Sequence, residues 1–240
     1  MGQFIASSRL LYEPMGKNTA PCIGWAALEI LNQDPEGIMV VMPADHYIQN
    51  NKAYAECIKK AVEAVNTDPD KLVTIGIRPT HAHTGFGYIE VQDADKQVMS
   101  VQSFTEKPDK ETAETYIESG RYFWNSGIFI WKAKTITEIL KSRQNTNHQI
   151  LQELSQLDEE SRTNDALSSL YNQLTSISID YAVMELESQR TLMIPSTFDW
   201  HDIGNWTSVE PFWKDETDNS SRANLLPIDS KNNIVYSKKR

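Results

Sequence analysis

A chain of 240 residues, 40% hydrophobic and 23% charged, has ordinary globular composition and length enough to bury a substantial core. Its net charge of -10 comes with no Lys/Arg-rich segment, which argues against a nucleic-acid partner, because phosphate binding needs a basic surface. No run of about 18 apolar residues is present and the N-terminal MGQFIASSRLLYEP lacks an apolar signal core, so neither a membrane span nor a secretory leader is expected.

Residues 20–33, APCIGWAALEILNQ, carry apolar side chains at helical spacing, with Thr19 placed as an N-cap and Pro21 in the first turn. Cys22 in that helix and Cys57 in a later one lie far apart without metal spacing, which fits buried thiols in a reducing cytoplasm. Residues 38–42 form a short apolar run closed by Pro43 and read as a buried parallel strand. An amphipathic helix over residues 51–67 and the apolar strand LVTIGI over 72–77 complete a βαβ unit, hence an α/β fold. GYIEVQD and VMSVQSFTEKP alternate apolar and polar residues, as antiparallel strands do. A helix over 110–118 follows, then YFWNSGIFIWKA and a helix from about Lys134. Residues 152–166 are polar and read as exposed helix with turns; SIDYAVME reads as a helix start with Ser178 as N-cap and Asp180 in its first turn. Beyond Trp213 the composition is that of loops with one strand.

Each polar motif has a structural and a chemical reading. In EPMGKNTAP, Asn18 or Thr19 caps a helix, or the two offer hydrogen bonds to a ligand at its N-terminus. In PADH, Asp45 and His46 cap a turn, or Asp45 is a hard carboxylate for Mg2+ beyond a strand end. HTGFGYI sets Gly85 and Gly87 two positions apart, a bulge or a place where backbone approaches a ligand. FTEKP ends a strand with Glu106 and Lys107, an acceptor for sugar hydroxyls and a point charge for phosphate, or a solvated strand end. Asn125 in FWNSGIFIW suits a hydroxyl or its own turn. TFDWHDIGNW holds Asp202, which either caps a helix near Gly204 or binds a cation, while Asp199 and His201 read as structural. The five histidines show no metal spacing, and no catalytic triad or CxxC motif occurs.

Taken together and in this order, EPMGKNTAP, VMPADHYI, HTGFGYI, FTEKP, WNSGIFIW, SIDYAVME and WHDIGNW resemble the bacterial mannose-1-phosphate guanylyltransferases, most of all the form often fused to a phosphomannose isomerase domain. The likeness spans about residues 11–240. It implies a Rossmann-like nucleotidyltransferase sheet with helices on both faces and a smaller antiparallel portion. It also implies a Mg2+-dependent enzyme making GDP-mannose and pyrophosphate from GTP and mannose 1-phosphate. Carried over by position, Asn18 and Thr19 would lie near the guanine, and Asp45 and Asp202 would share the metal. Gly87 would border the sugar, Glu106 and Asn125 would bind its hydroxyls, and Lys107 would meet its phosphate. Asp180 would be mainly positional. Because the nucleophile is an already ionised phosphate oxygen, the absence of a general base counts for nothing against this.

The family pattern opens with an apolar strand and a GGxGTRLWPLSR loop, which this sequence does not contain. The resemblance therefore implies an N-terminally incomplete nucleotidyltransferase domain over residues 1–213, with 214–240 starting a C-terminal extension. Such a chain is expected to turn over weakly or not at all by itself. A complementing chain or a homo-oligomer is left open as a partner, and a non-catalytic remnant binding sugar phosphate or other subunits is the alternative. A sugar transferase using a nucleotide-sugar donor is disfavoured, since PADH has one aspartate where an Asp-x-Asp is usual.

Overall fold

A computed structural model describes residues 10–158, 160–214 and 218–237. The start of the N-terminal stretch and parts of the expected C-terminal extension, residues 215–217 and 238–240, lie outside the described residues. Among the described residues no helix is long and apolar enough to cross a membrane. The chain divides into two compact units: one takes in the described residues up to Met42 and then Ala55–Ser196, the other Pro43–Tyr54 and the described residues from Thr197 on.

In the first unit, helix α1 (Thr19–Gln33) starts one residue earlier than its hydrophobic pattern. Asn18, not Thr19, is the N-cap, its Oδ1 accepting from Thr19 N at 2.9 Å. Thr19 is the first helical residue, and its Oγ1 accepts instead from Ile179 N at 2.8 Å. The helix is buried on two sides. Ala20, Ile23 and Ala27 enter the main core, while Trp25 and Leu28 enter a second cluster with Leu151, Leu154, Tyr171 and Leu174. Residues 152–166, expected as exposed helix with turns, thus belong partly to a core: Leu154, in the last turn of its helix, is fully buried.

The strands of this unit are β1 (Ile38–Val41), β3 (Leu72–Ile77), β4 (Tyr88–Val91), β5 (Met99–Thr105), β6 (Tyr122–Lys132) and β7 (Thr191–Pro195), with β2 (His46–Tyr47) in the second unit. They form one mixed sheet in the order β1-β6-β3-β7-β5-β4, and β6 also pairs with β4. The run at residues 38–42 is therefore not a buried parallel strand: β1 is an edge strand, antiparallel to β6 and mostly half-buried. It does run parallel to β3, because both are antiparallel to β6, which lies between them. The fully buried β3 pairs in parallel with β7, and β4 and β5 pair antiparallel as their alternation predicts. β6 is long enough to serve three neighbours, β1, β3 and β4. Pairings among β3, β6, β4, β5 and β7 close on themselves, so these strands curl into a ring.

That curl has a visible cause. Between Thr74 and Gly76 of β3 the register to β6 shifts, because Ser126, Gly127 and Ile128 bulge out of the ladder. Gly127 adopts φ 70, which glycine reaches without steric cost. The buried Ser126 Oγ donates to Ile75 O at 2.7 Å and accepts from Ile128 N at 3.2 Å, replacing the lost ladder bonds. The main core packs the helix Ala133–Arg143, through Ala133, Ile136, Ile139 and Leu140, with α1 and apolar residues of the strands.

In the second unit β2 pairs antiparallel with β8 (His201–Asp202), and β9 (Ser220–Arg222) pairs in parallel with β10 (Ile234–Tyr236). Two short strands thus stand where one was expected. Asp199 accepts from Gln49 N at 2.7 Å and Asn50 N at 3.0 Å, a backbone-bracing role that agrees with its structural reading.

Candidate functional site

The second unit gathers a metal-capable cluster. His46 lies opposite Asp202 in the β2–β8 ribbon, and Ile203 N donates to Asp45 O at 3.2 Å, so two distant segments are zipped into register. One ligand atom each from Asp45, His46 and Asp202 lies within 4.8 Å of the others. A Cβ at Gly204 would come to 3.2 Å from Asp202 Oδ1, so the backbone after Asp202 turns tightly around its carboxylate. Asn205 caps the short helical turn Trp206–Val209 that follows, its Oδ1 accepting from Ser208 N at 3.0 Å.

His46 joins this cluster although its sequence spacing did not single it out; its one signal was adjacency to Asp45 in PADH. Trp200 Nε1 donates to His46 Nδ1 at 3.1 Å, and an indole N–H can only donate. Nδ1 is thereby the acceptor nitrogen, and the neutral ring carries its proton on Nε2. Burial lowers the His46 pKa, against the opposing pull of Asp202 and Asp45, so the ring stays neutral at pH 7. The two carboxylates are hard oxygen donors suited to Mg2+, while His46 as held by Trp200 is a hydrogen-bond donor rather than a metal ligand.

The first unit builds a second polar cluster where the bulge of β6 meets the end of β5. The bulge turns the Asn125 amide so that its Oδ1 accepts from Gly127 N at 3.1 Å and from Thr74 Oγ1 at 3.4 Å. Its Nδ2 then donates to Asp180 Oδ1 at 3.0 Å. Asn125 N donates to Gly87 O at 2.8 Å, which brings Gly87 alongside. A Cβ at Gly87 would sit 2.6 Å from Glu106 Oε2 and 3.4 Å from Asn125 Cβ, so glycine there lets the Glu106 carboxylate approach the strand. Glu106 Oε1 lies 3.3 Å from Lys107 Nζ; the Glu106 side chain is 12% exposed and that of Lys107 60%. Lys107 holds φ 47 immediately before Pro108, a conformation costing a non-glycine residue on the order of 1 kcal/mol. Burial, reinforced by the Glu106 charge, pushes Asp180 up to about 6, against the opposing effects of Asn125 and Lys107. Gly87, Glu106, Lys107 and Asn125 are thus one neighbourhood, joined by Asp180. Asn18 and Thr19 stand at the α1 N-terminus, where Asn18 Oδ1 accepts from Thr19 N and Thr19 Oγ1 accepts from Ile179 N, next to Asp180.

Comparison with known proteins gives the arrangement a family. Residues 2–219 match the model of the nucleotidyl transferase family. The chain belongs to that family. This nucleotidyltransferase is 34% identical over 242 residues to the alginate biosynthesis protein AlgA of Pseudomonas aeruginosa, covering 98% of its own length and 49% of that protein's. It is 35% identical over 252 residues to a mannose-1-phosphate guanylyltransferase of Salmonella muenchen, covering 97% and 50%. The chain spans about half the length of the curated relatives it matches. Among solved structures it resembles a mannose-1-phosphate geranyltransferase from Thermus thermophilus, with TM-score 0.75 and 32% identity over 88% of this chain and 60% of the other. A mannose-6-phosphate isomerase from Helicobacter pylori matches with TM-score 0.65 and 29% identity, over 78% and 72% of the two chains.

Proposed function

We propose that this nucleotidyltransferase makes GDP-mannose and pyrophosphate from GTP and mannose 1-phosphate. The observation that carries the reading is the meeting of Asp45 and Asp202, from opposite ends of the chain, in one cluster fit for a hard divalent cation. Mg2+ bound by these two carboxylates would neutralise charge on the phosphate groups during transfer. His46 donates through Nε2 to an anionic oxygen. Lys107, the more exposed of the Glu106–Lys107 pair, supplies a point charge for the sugar phosphate. Glu106 accepts from, and Asn125 donates to, sugar hydroxyls, while Gly87 leaves room for both. Asn18 would contribute at the base through its Nδ2 and Thr19 through its hydroxyl hydrogen, since Asn18 Oδ1 and a lone pair of Thr19 Oγ1 are already bonded. With the phosphate nucleophile already ionised, these residues contribute positioning and charge balance rather than proton abstraction.

The decisive experiment supplies the chain with GTP, mannose 1-phosphate and Mg2+, follows GDP-mannose by a radiolabel sensitive to slow turnover, and measures mannose 1-phosphate binding by calorimetry. Saturable binding with GDP-mannose formed above the level of an Asp202→Asn variant is the expected result. Binding without product would favour a sugar-phosphate-binding role, and no binding at millimolar ligand would sink the sugar assignment.

Gly87→Ala tests the sugar half more narrowly. The new methyl displaces the Glu106 carboxylate, the far end of a flexible side chain, while the other neighbours stay at ordinary contact distance. Mannose 1-phosphate affinity should fall about tenfold, equivalent to about 1.4 kcal/mol, while the melting temperature moves by only a few degrees. An unaltered affinity would place Glu106 outside the sugar contacts.

A further inference from the structure

The turn Asp180–Met184 is wound as a π-helix, with Glu185 N donating to Asp180 O at 3.0 Å. Such widened turns are rare, and they change which residues share a face. In an α-helix, residues five apart point about 140° away from each other; bonding from i to i+5 brings them back towards alignment. Asp180 and Glu185 are such a pair, and both are used in the same neighbourhood. Asp180 Oδ1 accepts from Asn125 Nδ2 at 3.0 Å, and Glu185 Oε1 accepts from Glu106 N at 3.2 Å.

The turn is rigidly mounted. Ala182, Val183 and Met184 are buried in the main core, and Ile179 N and Ile177 O bond to Thr19 Oγ1 and Ala20 N at the start of α1. From this mount the two carboxylates reach Asn125, on β6, and Glu106, just past the end of β5. The Asn125 oxygen is already committed to Gly127 N, so an acceptor on the opposite side holds the amide in one orientation. One Nδ2 hydrogen goes to Asp180, leaving the second for a ligand. Grouping Asp180, Glu185 and Glu106, with Lys107 as the cation beside them, is electrostatically unfavourable, so the fold alone does not account for placing these carboxylates together.

We propose that the π-turn is a positioning bracket for the sugar half-site, with Asp180 orienting the Asn125 amide and Glu185 holding the Glu106 backbone, so that a hydroxyl-bearing ligand meets a preset donor and acceptor. The proposal rests on the sugar-phosphate reading of Glu106, Lys107 and Asn125. Neither Asp180 nor Glu185 touches ligand in it; both act through their partners.

The test pairs disruptive and conservative variants: Asp180→Ala with Asp180→Asn, and Glu185→Ala with Glu185→Gln. Two quantities are measured in the full chain, the calorimetric affinity for mannose 1-phosphate and the hydrogen exchange of the Asn125 side-chain amide by NMR. Each alanine variant should weaken mannose 1-phosphate binding about tenfold without lowering the melting temperature in proportion, and each amide variant should stay within about threefold of the parent. One Asn125 amide hydrogen should be protected in the parent and in Asp180→Asn, and lose protection in Asp180→Ala. Amide variants as poor as the alanine ones, or an Asn125 amide indifferent to Asp180→Ala, would overturn the bracket. If the parent chain binds no mannose 1-phosphate, the sugar-phosphate reading fails, and the NMR arm still decides whether Asp180 orients Asn125.

Discussion

Asp202→Asn should reduce GDP-mannose formation about a thousandfold, equivalent to about 4 kcal/mol of lost transition-state stabilisation at 1.36 kcal/mol per decade. The substitution keeps shape and backbone: Asp202 pairs with His46 through main-chain atoms, and asparagine leaves that ladder intact. What changes is one of two negative charges brought together with His46. Without a cation those charges repel, so the variant should melt no lower than the parent. Asp45→Asn should do the same. The double variant should be about as poor as either single one rather than a millionfold worse, because two ligands of one ion act as a unit. Since slow turnover could mask such ratios, free Mn2+ measured by electron spin resonance gives a second readout: the parent chain should bind it saturably and either variant should not. Multiplicative losses, or undiminished Mn2+ binding, would mean that the two aspartates do not share an ion.

The Asp45–Asp202 pairing was proposed from the order of motifs, since no spacing rule connects residues so far apart. What spacing does reveal is local. LVTIGI was legible as a strand because a fully buried central strand is apolar on both faces, and all six residues are buried. The same logic misassigned VVMP, because an apolar run announces a strand without naming its neighbour. The neighbour of β1 is β6, which arrives some 90 residues later and reverses the expected pairing. TLMIP, closed by proline just as VVMP is, carries the same strand signal, and it forms β7.

The polar groups divide in the same way. Glu106, Lys107 and Asn125 were recognised as candidates from the turns they sit in, but only the folded chain brings them together. The bulge at Ser126–Ile128 does this, and in sequence it is simply a Ser-Gly pair within a strand. The π-turn was invisible for a different reason. Its apolar residues fall at spacings that an α-helix satisfies equally well, so Asp180 looked like a first-turn acid beside the Ser178 cap. The cap itself exists, with Ser178 Oγ accepting from Tyr181 N at 3.3 Å. His46 carries no signal in the spacing of the histidines, because its partners, Trp200 and two aspartates, are brought to it only by the fold.

Asp180→Asn should stabilise the chain at neutral pH and leave it unaffected in mild acid. Burial and the Glu106 charge, outweighing Asn125 and Lys107, raise the Asp180 carboxyl from 3.8 to about 6. Between those values the folded chain keeps a proton that the unfolded chain has released. Stability therefore falls as pH rises through the interval from about 4 to 6, and stays lowered above it. The full difference of about two pH units corresponds to about 3 kcal/mol. Asparagine carries no charge to desolvate and still offers Asn125 an acceptor. It should recover about 2 kcal/mol at pH 7.5, which for a domain of this size raises the melting temperature by about 4–8 °C. At pH 4 the gain should vanish, since Asp180 is then protonated in the folded chain and half-protonated in the unfolded one. Thermal melts of parent and variant across that range provide the check: a gain independent of pH, or a loss at pH 7.5, would show that the ionised carboxylate is not the destabilising element. Such a cost at neutral pH is one that the positioning role proposed for Asp180 would offset, since its carboxylate also accepts from Asn125 Nδ2.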